Sequence, residues 1–241
     1  MAYFLKNISL CKGGKRILDL PKLELPAKGL MVLLGPNGAG KSSLLTLLAG
    51  LEDSFQGELL WRGSPLKTQK AALRSREILW QGATPGEELP WSLEEYLLLG
   101  RYPWHGGGPG HQDREKAARA LEAVGLSHAA QSIHSRLSTG EQKRAQMAQA
   151  LASDASYWLL DEPLAHLEAP MAQAWIPFLA KWCRQHGIGI LMSTHQLSPL
   201  LSWAEELILL KEGQLLGKGP PKKLLQKPYL KELFEKELFP L

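Results

Sequence analysis

Apolar and polar residues alternate one by one in three parts of this chain. Residues 3–24 alternate around the turn Lys12-Gly13-Gly14, which predicts a hairpin of half-buried strands. A short strand is predicted for residues 58–61, after Gly57, and a final hairpin for residues 207–217, before a helical tail. The N-terminal strands are therefore expected to form an antiparallel β subdomain.

Three other runs are apolar on both faces, which is typical of strands buried in a parallel sheet. They are GLMVLLG at residues 29–35, SYWLLD at residues 156–161 and GIGILMS at residues 187–193. Helical patterns separate these runs, so we expect the strands to lie parallel beneath covering helices. The predicted fold class is α/β.

The segment from about residue 85 to residue 151 follows a different pattern. A helix is predicted for residues 92–99, with Ser92 and two acidic residues at its start. The glycine-rich stretch HGGGPG, residues 105–110, separates it from a second predicted helix at residues 113–124. We interpret this segment as a mainly helical subdomain inserted into the α/β core.

Length and composition agree with one large domain. The chain has 241 residues, of which 44% are hydrophobic and 22% charged, so it is neither disordered nor fibrous in character. Within residues 1–241 we expect a core of residues 1–84 and 152–218, the helical subdomain at about 85–151, and a C-terminal helical tail at about 219–241.

Cysteine usage and hydropathy bear on the compartment. Cys11 and Cys183 lie far apart without the spacing of a metal site, so a reduced cytosolic setting is the simplest interpretation. No apolar run approaches the roughly 20 residues of a membrane span, and the first ten residues lack the apolar stretch of a secretory signal. We expect a soluble chain.

The net charge of +4 is mild, and lysines concentrate late in the chain. We interpret them as the solvated face of a C-terminal helix, the alternative being a patch for nucleic acid or lipid, and we expect no nucleic-acid partner. The lysines are Lys218, Lys222, Lys223, Lys227 and Lys231.

A phosphate-binding motif follows the first buried strand. Residues 35–42 fit G-x-x-x-x-G-K-[ST] between that strand and a predicted helix at residues 41–49. Glycines let the backbone N–H groups point at a triphosphate, and the helix N-terminus adds about half a unit of positive charge. Lys41 would reach the β- and γ-phosphates and Ser42 would bind Mg²⁺. The alternative is a glycine-rich turn that binds no nucleotide.

Polar side chains end the other buried strands. Asp161 and Glu162 follow residues 157–160, so one carboxylate can hold Mg²⁺ while the other polarises an attacking water. His195 ends the third strand, where it would contact a γ-phosphate, and Gln81 could place its amide near the metal and the water. Each type of residue also has structural uses at strand ends, the acids as helix caps and the histidine as a packed side chain.

Together these residues resemble the nucleotide-binding subunit of ATP-binding cassette (ABC) transporters. The resemblance covers essentially the whole chain, and five motifs occur in the order of the family. They are the P-loop at residues 35–43, Gln81, the signature LSTGEQ at residues 137–142, the strand and acids at residues 157–162, and His195.

The resemblance implies an ATPase that works as a homodimer. In the family two copies pair head to tail, so that the signature of one copy covers the γ-phosphate held by the P-loop of the other. The implied catalytic residues are Glu162, His195, Gln81 and Lys41. The implied residues for ATP are Gly35, Pro36, Asn37, Gly38, Ala39, Gly40, Lys41, Ser42, Ser43, Ser138, Gly140 and Glu141. The implied Mg²⁺ ligands are Ser42, Gln81 and Asp161.

Within the family, residues 89–107 resemble the subgroup that powers uptake of iron chelates, haem and cobalamin. The phrase LEEYLLLGRYP, residues 93–103, carries that resemblance, although a helix that ends at Gly100 before a proline turn explains the same letters. The implied partners are transmembrane permease subunits and a substrate-binding protein, at the cytoplasmic face of the inner membrane. A soluble ABC ATPase for iron–sulfur assembly is the alternative.

Four positions depart from the family pattern. Cys11-Lys12 stands where the family has an aromatic residue that stacks on adenine, and Glu168 stands where it has an aspartate. Gln196 stands in place of the aspartate that usually follows the histidine. Thr139 replaces the first glycine of the signature. Since a β-branched residue resists a positive φ, we expect a helical or extended backbone at Thr139.

Overall fold

The computed structural model describes residues 1–82, 90–105, 108–165, 167, 169–197 and 199–238. The strands in this part of the chain are β1 (Tyr3–Lys12), β2 (Lys15–Leu25), β3 (Gly29–Leu34), β4 (Phe55–Trp61), β5 (Ser64–Pro65), β6 (Ile78–Gln81), β7 (Tyr157–Leu160), β8 (Gly189–Thr194), β9 (Glu206–Lys211) and β10 (Gln214–Gly219). They form one sheet in the order β5-β4-β1-β2-β10-β9-β3-β8-β7-β6.

Helices cover this sheet. They are α1 (Lys41–Leu48), α2 (Ala71–Glu77), α3 (Leu93–Leu99), α4 (His111–Ala123), α5 (Thr139–Ala152), α6 (Ala169–His186), α7 (Pro221–Leu224) and α8 (Lys227–Leu238). Helices α3, α4 and α5 pack on one another. The predicted helix starting at Ser92 is confirmed, because Ser92 caps α3 through a capping box with Glu95.

The parallel half of the sheet is as the apolar runs predict. Strand β3 is buried along its whole length and pairs in parallel with β8 and β9, while β7 lies in parallel between β8 and β6. The strand that leads to His195 is therefore next to both other buried strands. The polar residues that follow these strands lie together at one edge, because the carboxyl ends of parallel strands meet there.

The antiparallel half contains one error of prediction. Strands β1 and β2 form the expected hairpin, but β4 begins at Phe55 and not after Gly57. Gly57 lies inside the strand at φ 102°, opposite a register shift in β1, and a Cβ there would come within 2.3 Å of the carbonyl oxygen of Asn7. This glycine belongs to a β-bulge, where the chain bends without ending the strand.

The core occupies both faces of the sheet. Met31 and Leu33 of β3 pack with α1 and the antiparallel strands, whereas Leu30, Val32 and Leu34 pack with α5 and α6. Such two-sided burial holds the strand ends firmly. Among the described helices, none combines the length and apolar character needed to cross a membrane.

Candidate functional site

The loop between β3 and α1 needs its glycines for two reasons. Gly38 and Gly40 have φ values of 77° and 99°, which favour glycine, and Gly40 is the residue before α1. At Gly35 a Cβ would come within 2.2 Å of the carbonyl oxygen of Leu210. The loop therefore wraps tightly around the N-terminus of α1, as a phosphate-binding loop must.

Lys41 is held inside this loop. Its side chain is 5% exposed, and its Nζ donates to the carbonyl oxygens of Gly35 at 2.8 Å and Pro36 at 2.9 Å. The same nitrogen lies 3.8 Å from Oε1 of Glu162. A buried ammonium group is thus balanced by carbonyl oxygens and by one carboxylate. Ser42, the next residue, is exposed, and Ser43 is half-buried.

The end of β7 carries two carboxylates with different surroundings. The backbone N–H of Asp161 donates to the carbonyl oxygen of Gln81 at 2.8 Å, so the residue after β7 is bonded to the last residue of β6. The Asp161 carboxylate accepts from the Ser193 hydroxyl at 2.5 Å. Glu162 has a φ of 47°, a conformation that is uncommon for residues other than glycine. The backbone turn therefore sends the two side chains in different directions.

Ser193 is a contributor that the sequence analysis did not single out. It is completely buried on β8, and its hydroxyl also accepts from the backbone N–H of Glu162 at 2.8 Å. One hydroxyl thus holds both Asp161 and the strained backbone of Glu162. The available signal was a hydroxyl residue near the end of an apolar strand, since buried polar groups need partners.

His195 and Lys41 converge on one oxygen atom. Nδ1 of His195 lies 3.0 Å from Oε1 of Glu162, the atom that Lys41 also faces. The His195 and Glu162 side chains are 35% and 33% exposed, so the cluster is open on one side. The structure therefore brings together three of the predicted catalytic residues, Lys41, Glu162 and His195. Asp161 directly precedes Glu162 in the chain.

The fourth predicted catalytic residue, Gln81, extends the site toward α5. Its Nε2 donates to the carbonyl oxygen of Gln146 at 2.7 Å and to Oε1 of Gln149 at 3.3 Å. The side-chain nitrogen is thus bonded to the helix that begins with the signature. Gln81 links the strand edge that carries Asp161 to that helix.

Lys143 lies on the same helix, one turn before Gln146, and the sequence analysis also passed over it. Burial lowers the pKa of Lys143, and the negative charges of Glu162 and Asp161 oppose that shift. Lys143 therefore lies within electrostatic range of both carboxylates. The sequence gave no signal for this interaction, because Lys143 stands among other polar residues of the same helical turn.

The signature forms the N-terminus of α5. Ser138 is the N-cap, its hydroxyl accepts from the backbone N–H of Glu141 at 3.3 Å, and the Glu141 carboxylate accepts from the Ser138 backbone N–H at 2.9 Å. This capping box satisfies two N–H groups of the first turn. The predicted backbone at Thr139 is confirmed, because Thr139 is the first helical residue and its φ is not positive.

Gly140 has no evident structural need for glycine within the described part of the chain. It lies in regular helix without a positive φ, and a Cβ added to it meets no atom within 4 Å. The hydrogen bonds described for Ser138 and Glu141 are local to the first turn of α5. Among the hydrogen bonds of the described residues, none joins Ser138 or Glu141 to the P-loop of the same chain.

The other departures from the family pattern have different outcomes. Lys12, one of the two residues in the place of the adenine-stacking aromatic, pairs with Glu52 at 2.9 Å, and Cys11 is exposed. Gln196 is exposed, and its backbone N–H donates to the Thr194 hydroxyl at 3.1 Å. Glu168 lies outside the described residues.

The oxygen donors at the site suit a magnesium ion that is bound together with a phosphate. Ser42 offers an exposed hydroxyl and Asp161 a carboxylate fixed by Ser193. Across the described ranges no group of three or more His, Cys, Asp or Glu side chains could hold a metal by itself. Mg²⁺ prefers such sparse oxygen sites, in which a nucleotide completes its coordination shell.

Comparison with known proteins finds relatives that match most of the chain. The model of the ABC transporter family matches residues 18–165. The hemin import ATP-binding protein HmuV of Streptomyces coelicolor is 33% identical over 236 residues, covering 95% of this chain and 82% of that protein. The hemin import ATP-binding protein HmuV of Methylobacillus flagellatus is 35% identical over 212 residues, covering 84% of this chain and 78% of that protein.

Solved structures share the fold. An ATP-binding cassette of an ABC transporter in its ADP conformation superposes with a TM-score of 0.85 at 23% identity, over 98% of this chain and 99% of that chain. A dimeric ATP-binding cassette in a post-hydrolysis state, bound to ADP and phosphate, gives a TM-score of 0.79 at 23% identity, over 90% of this chain and 98% of that chain. The predicted α/β fold with a parallel sheet is confirmed.

Proposed function

We propose that this chain, which belongs to the ABC transporter family, powers the import of haem. It is an ATP-binding subunit that hydrolyses ATP to drive transport. The observation that carries the haem assignment is the similarity to hemin import ATP-binding proteins along 84% and 95% of the chain. Iron chelates and cobalamin are the related cargoes against which haem must be compared.

We assign the grip on the triphosphate to the P-loop. Gly38 has open space where a Cβ would lie, and α1 directs its positive end at the same loop. Lys41 already lies within its own loop, so a phosphate can replace the carbonyl oxygens of Gly35 and Pro36 as its partners. The remaining loop residues, Asn37, Gly38, Ala39 and Ser43, complete the cradle.

We assign the activation of water to Glu162. Its carboxylate is half-exposed next to Lys41 and His195, and its backbone is held in a left-handed conformation by Ser193. Strain of this kind is typical of functional residues whose surroundings over-determine them. His195 would orient the Glu162 carboxylate and contact the γ-phosphate. Gln81 would lie near the metal and connect it to α5 through its hydrogen bonds to that helix.

Mg²⁺ would be held by Ser42, Asp161 and Gln81 together with phosphate oxygens. When bound, it would neutralise charge that develops on the β- and γ-phosphates. Ser193 contributes by fixing the Asp161 carboxylate in one orientation. The exposed Ser42 hydroxyl lies in the first turn of α1, immediately after Lys41.

A second copy of the chain would complete each ATP site. The open space beside Gly140 supports this proposal, because neither its backbone conformation nor packing among the described residues accounts for a glycine there. A phosphate held by a partner copy could approach the N–H of Gly140 and the Ser138 hydroxyl, with Glu141 keeping the Ser138 cap in place. The cassette of similar fold that binds ADP and phosphate is likewise a dimer.

The remaining partners follow from the importer assignment. Permease subunits in the cell membrane would bind the dimer at the cytoplasmic face, and a substrate-binding protein would deliver haem from the other side. No cargo-binding feature is expected in the ATPase itself, since it acts on ATP and not on the transported molecule.

Growth on defined iron sources tests the cargo. Deleting the gene for this chain should abolish growth of its host on haem as sole iron source, and the wild-type chain should restore it while the Glu162→Gln variant does not. Normal growth on haem together with loss of cobalamin- or siderophore-dependent growth would move the assignment to that cargo. Co-purification with a soluble iron–sulfur scaffold in place of a multi-span membrane protein would overturn the importer assignment.

A further inference from the structure

The C-terminal end of α5 is capped from outside its own helix. The last carbonyl groups of a helix lack partners within it. Here Arg101 Nη1 donates to the carbonyl oxygen of Ala152 at 3.0 Å, and Trp104 Nε1 donates to that of Ser153 at 2.8 Å. A short segment after α3 therefore satisfies both groups, and the Arg101 charge suits the negative end of the helix.

Arg101 fixes this segment among the helices. Its side chain is 5% exposed, and it also binds the carboxylates of Asp113 at 2.9 Å and Asp154 at 2.6 Å. Asp154 lies directly beyond α5 with a φ of 56°, and Lys116 of α4 pairs with the same carboxylate. A buried cation with this many partners has little freedom to move.

Trp104 is also held from the side of α2, a helix that precedes β6 in the chain. Arg76 of α2 donates from Nε to the carbonyl oxygen of Pro103 at 2.7 Å, and its guanidinium lies 5.4 Å from the centre of the Trp104 ring. The Arg101 guanidinium lies 5.6 Å from the same ring. The indole thus bridges two cations that belong to different parts of the chain.

The contact between Arg76 and Trp104 lies at the end of α5 opposite the signature, so a change there would move the signature. Helix α5 has 14 residues and is about 21 Å long at 1.5 Å per residue. The signature residues Ser138 and Gly140 lie at its N-terminus, and the Arg76–Trp104 contact holds the opposite end. A small tilt at Ser153 would displace the signature, while the P-loop, carried by β3 and α1, would stay in place.

We propose that Arg76 is a positioning residue for the ATP site, acting through Trp104 to fix the angle at which α5 presents the signature to a partner copy. This inference rests on the proposed function, in which Ser138 and Gly140 act on ATP held by the partner. It adds a residue that touches neither nucleotide nor signature. It also gives a structural role to residues 100–103, the end of the LEEYLLLGRYP phrase, because Arg101, Pro103 and the adjacent Trp104 all contribute to the contact.

Three variants and one control separate positioning from general damage. Arg76→Met removes the contact from α2, Arg76→Lys restores a cation over the ring, and Trp104→Phe keeps the ring but loses the bond to Ser153. Arg119→Met is the matched control, because Arg119 is an exposed α4 residue whose described ion pair is with Glu115. All four are compared by ATP turnover, by binding of a fluorescent ATP analogue, and by hydrogen exchange of the backbone amides.

We expect Arg76→Met and Trp104→Phe to lower kcat by about threefold to tenfold, as loss of one exposed cation–π contact or hydrogen bond suggests. Amide exchange should rise in α5 but not in α1, and analogue binding should stay unchanged. Arg76→Lys should recover part of the loss, and Arg119→Met should match the wild type.

The proposal is overturned if α5 exchanges in Arg76→Met as it does in Arg119→Met, or if exchange rises equally in α1 and α5. Should the wild-type chain show no ATP turnover at all, the proposed function fails. The exchange measurement still decides in that case whether Arg76 holds α5.

Discussion

Nδ1 of His195 lies 3.0 Å from Oε1 of Glu162, and the two residues follow the adjacent parallel strands β8 and β7. This contact joins the carboxylate proposed to activate water to the ring proposed to contact the γ-phosphate. Lys41 faces the same carboxylate oxygen at 3.8 Å. Glu162 thus has two neighbours at the same oxygen atom, the Lys41 ammonium group in the P-loop and the His195 ring after β8.

Replacing His195 should separate binding from catalysis. We expect His195→Ala to lower kcat by about a hundredfold, the lower range for loss of a group that assists proton transfer, because Glu162 loses an orienting partner. ATP binding should be retained, since the P-loop is untouched. Gln196→Ala is the control, because Gln196 is the exposed neighbour. Equal turnover in both variants would remove His195 from the mechanism.

Gly140→Ala should raise the stability of the fold and lower its ATP turnover. Alanine is a better helix former than glycine, by up to about 1 kcal/mol in a helix interior, and the open space at Gly140 in the first turn of α5 accepts a Cβ. The free energy of unfolding of the isolated chain should therefore rise, while ATP turnover falls because the methyl group blocks the approach of a phosphate from the partner copy. Urea denaturation and an ATPase assay on the same preparation check this.

Thr139→Gly is the converse variant. It restores the usual signature letters, but it places a second glycine in the first turn of α5. We expect lower stability with turnover retained, because Thr139 already has a helical backbone. A large gain in turnover would show that Thr139 limits the site.

The Arg101 cluster should make stability depend on pH in acid. The hydrogen bond from the Gly110 backbone, followed by Arg101, lowers the pKa of Asp113 below its ordinary value of 3.8. A lowered carboxyl pKa stabilises the fold fully above the ordinary value, and this stabilisation is lost as pH falls through the lowered pKa. Asp113→Asn should thus be less stable than the wild type at neutral pH.

The difference between Asp113→Asn and the wild type should then shrink in strongly acidic buffer. Denaturant titrations at stepwise lower pH measure it. A constant difference across the whole range would mean that the Asp113 charge does not contribute to stability.

Much of the site could be predicted because its residues follow buried strands. The apolar runs at residues 29–35, 156–161 and 187–193 indicate parallel strands, and parallel strands bring the polar residues that follow them to one edge of the sheet. The P-loop letters then identify that edge as the place for a triphosphate. The catalytic roles of these residues are still proposals, but their proximity was predictable from periodicity alone.

Other features depend on contacts between distant elements, which no local pattern encodes. The bond from Gln81 to α5 and the grip of Ser193 on Asp161 and Glu162 arise only once β6, β7, β8 and α5 are assembled. The bulge at Gly57 was missed for the same reason, because a glycine inside a strand and a glycine before one look alike in sequence.

Turnover of the Glu162→Gln variant decides whether Glu162 activates the water that attacks ATP. The amide keeps the size of the side chain but cannot accept the proton. We expect unchanged ATP binding, accumulation of an ATP-bound dimer, and a fall in kcat of about a hundredfold or more. Turnover close to that of the wild type would remove this role from Glu162.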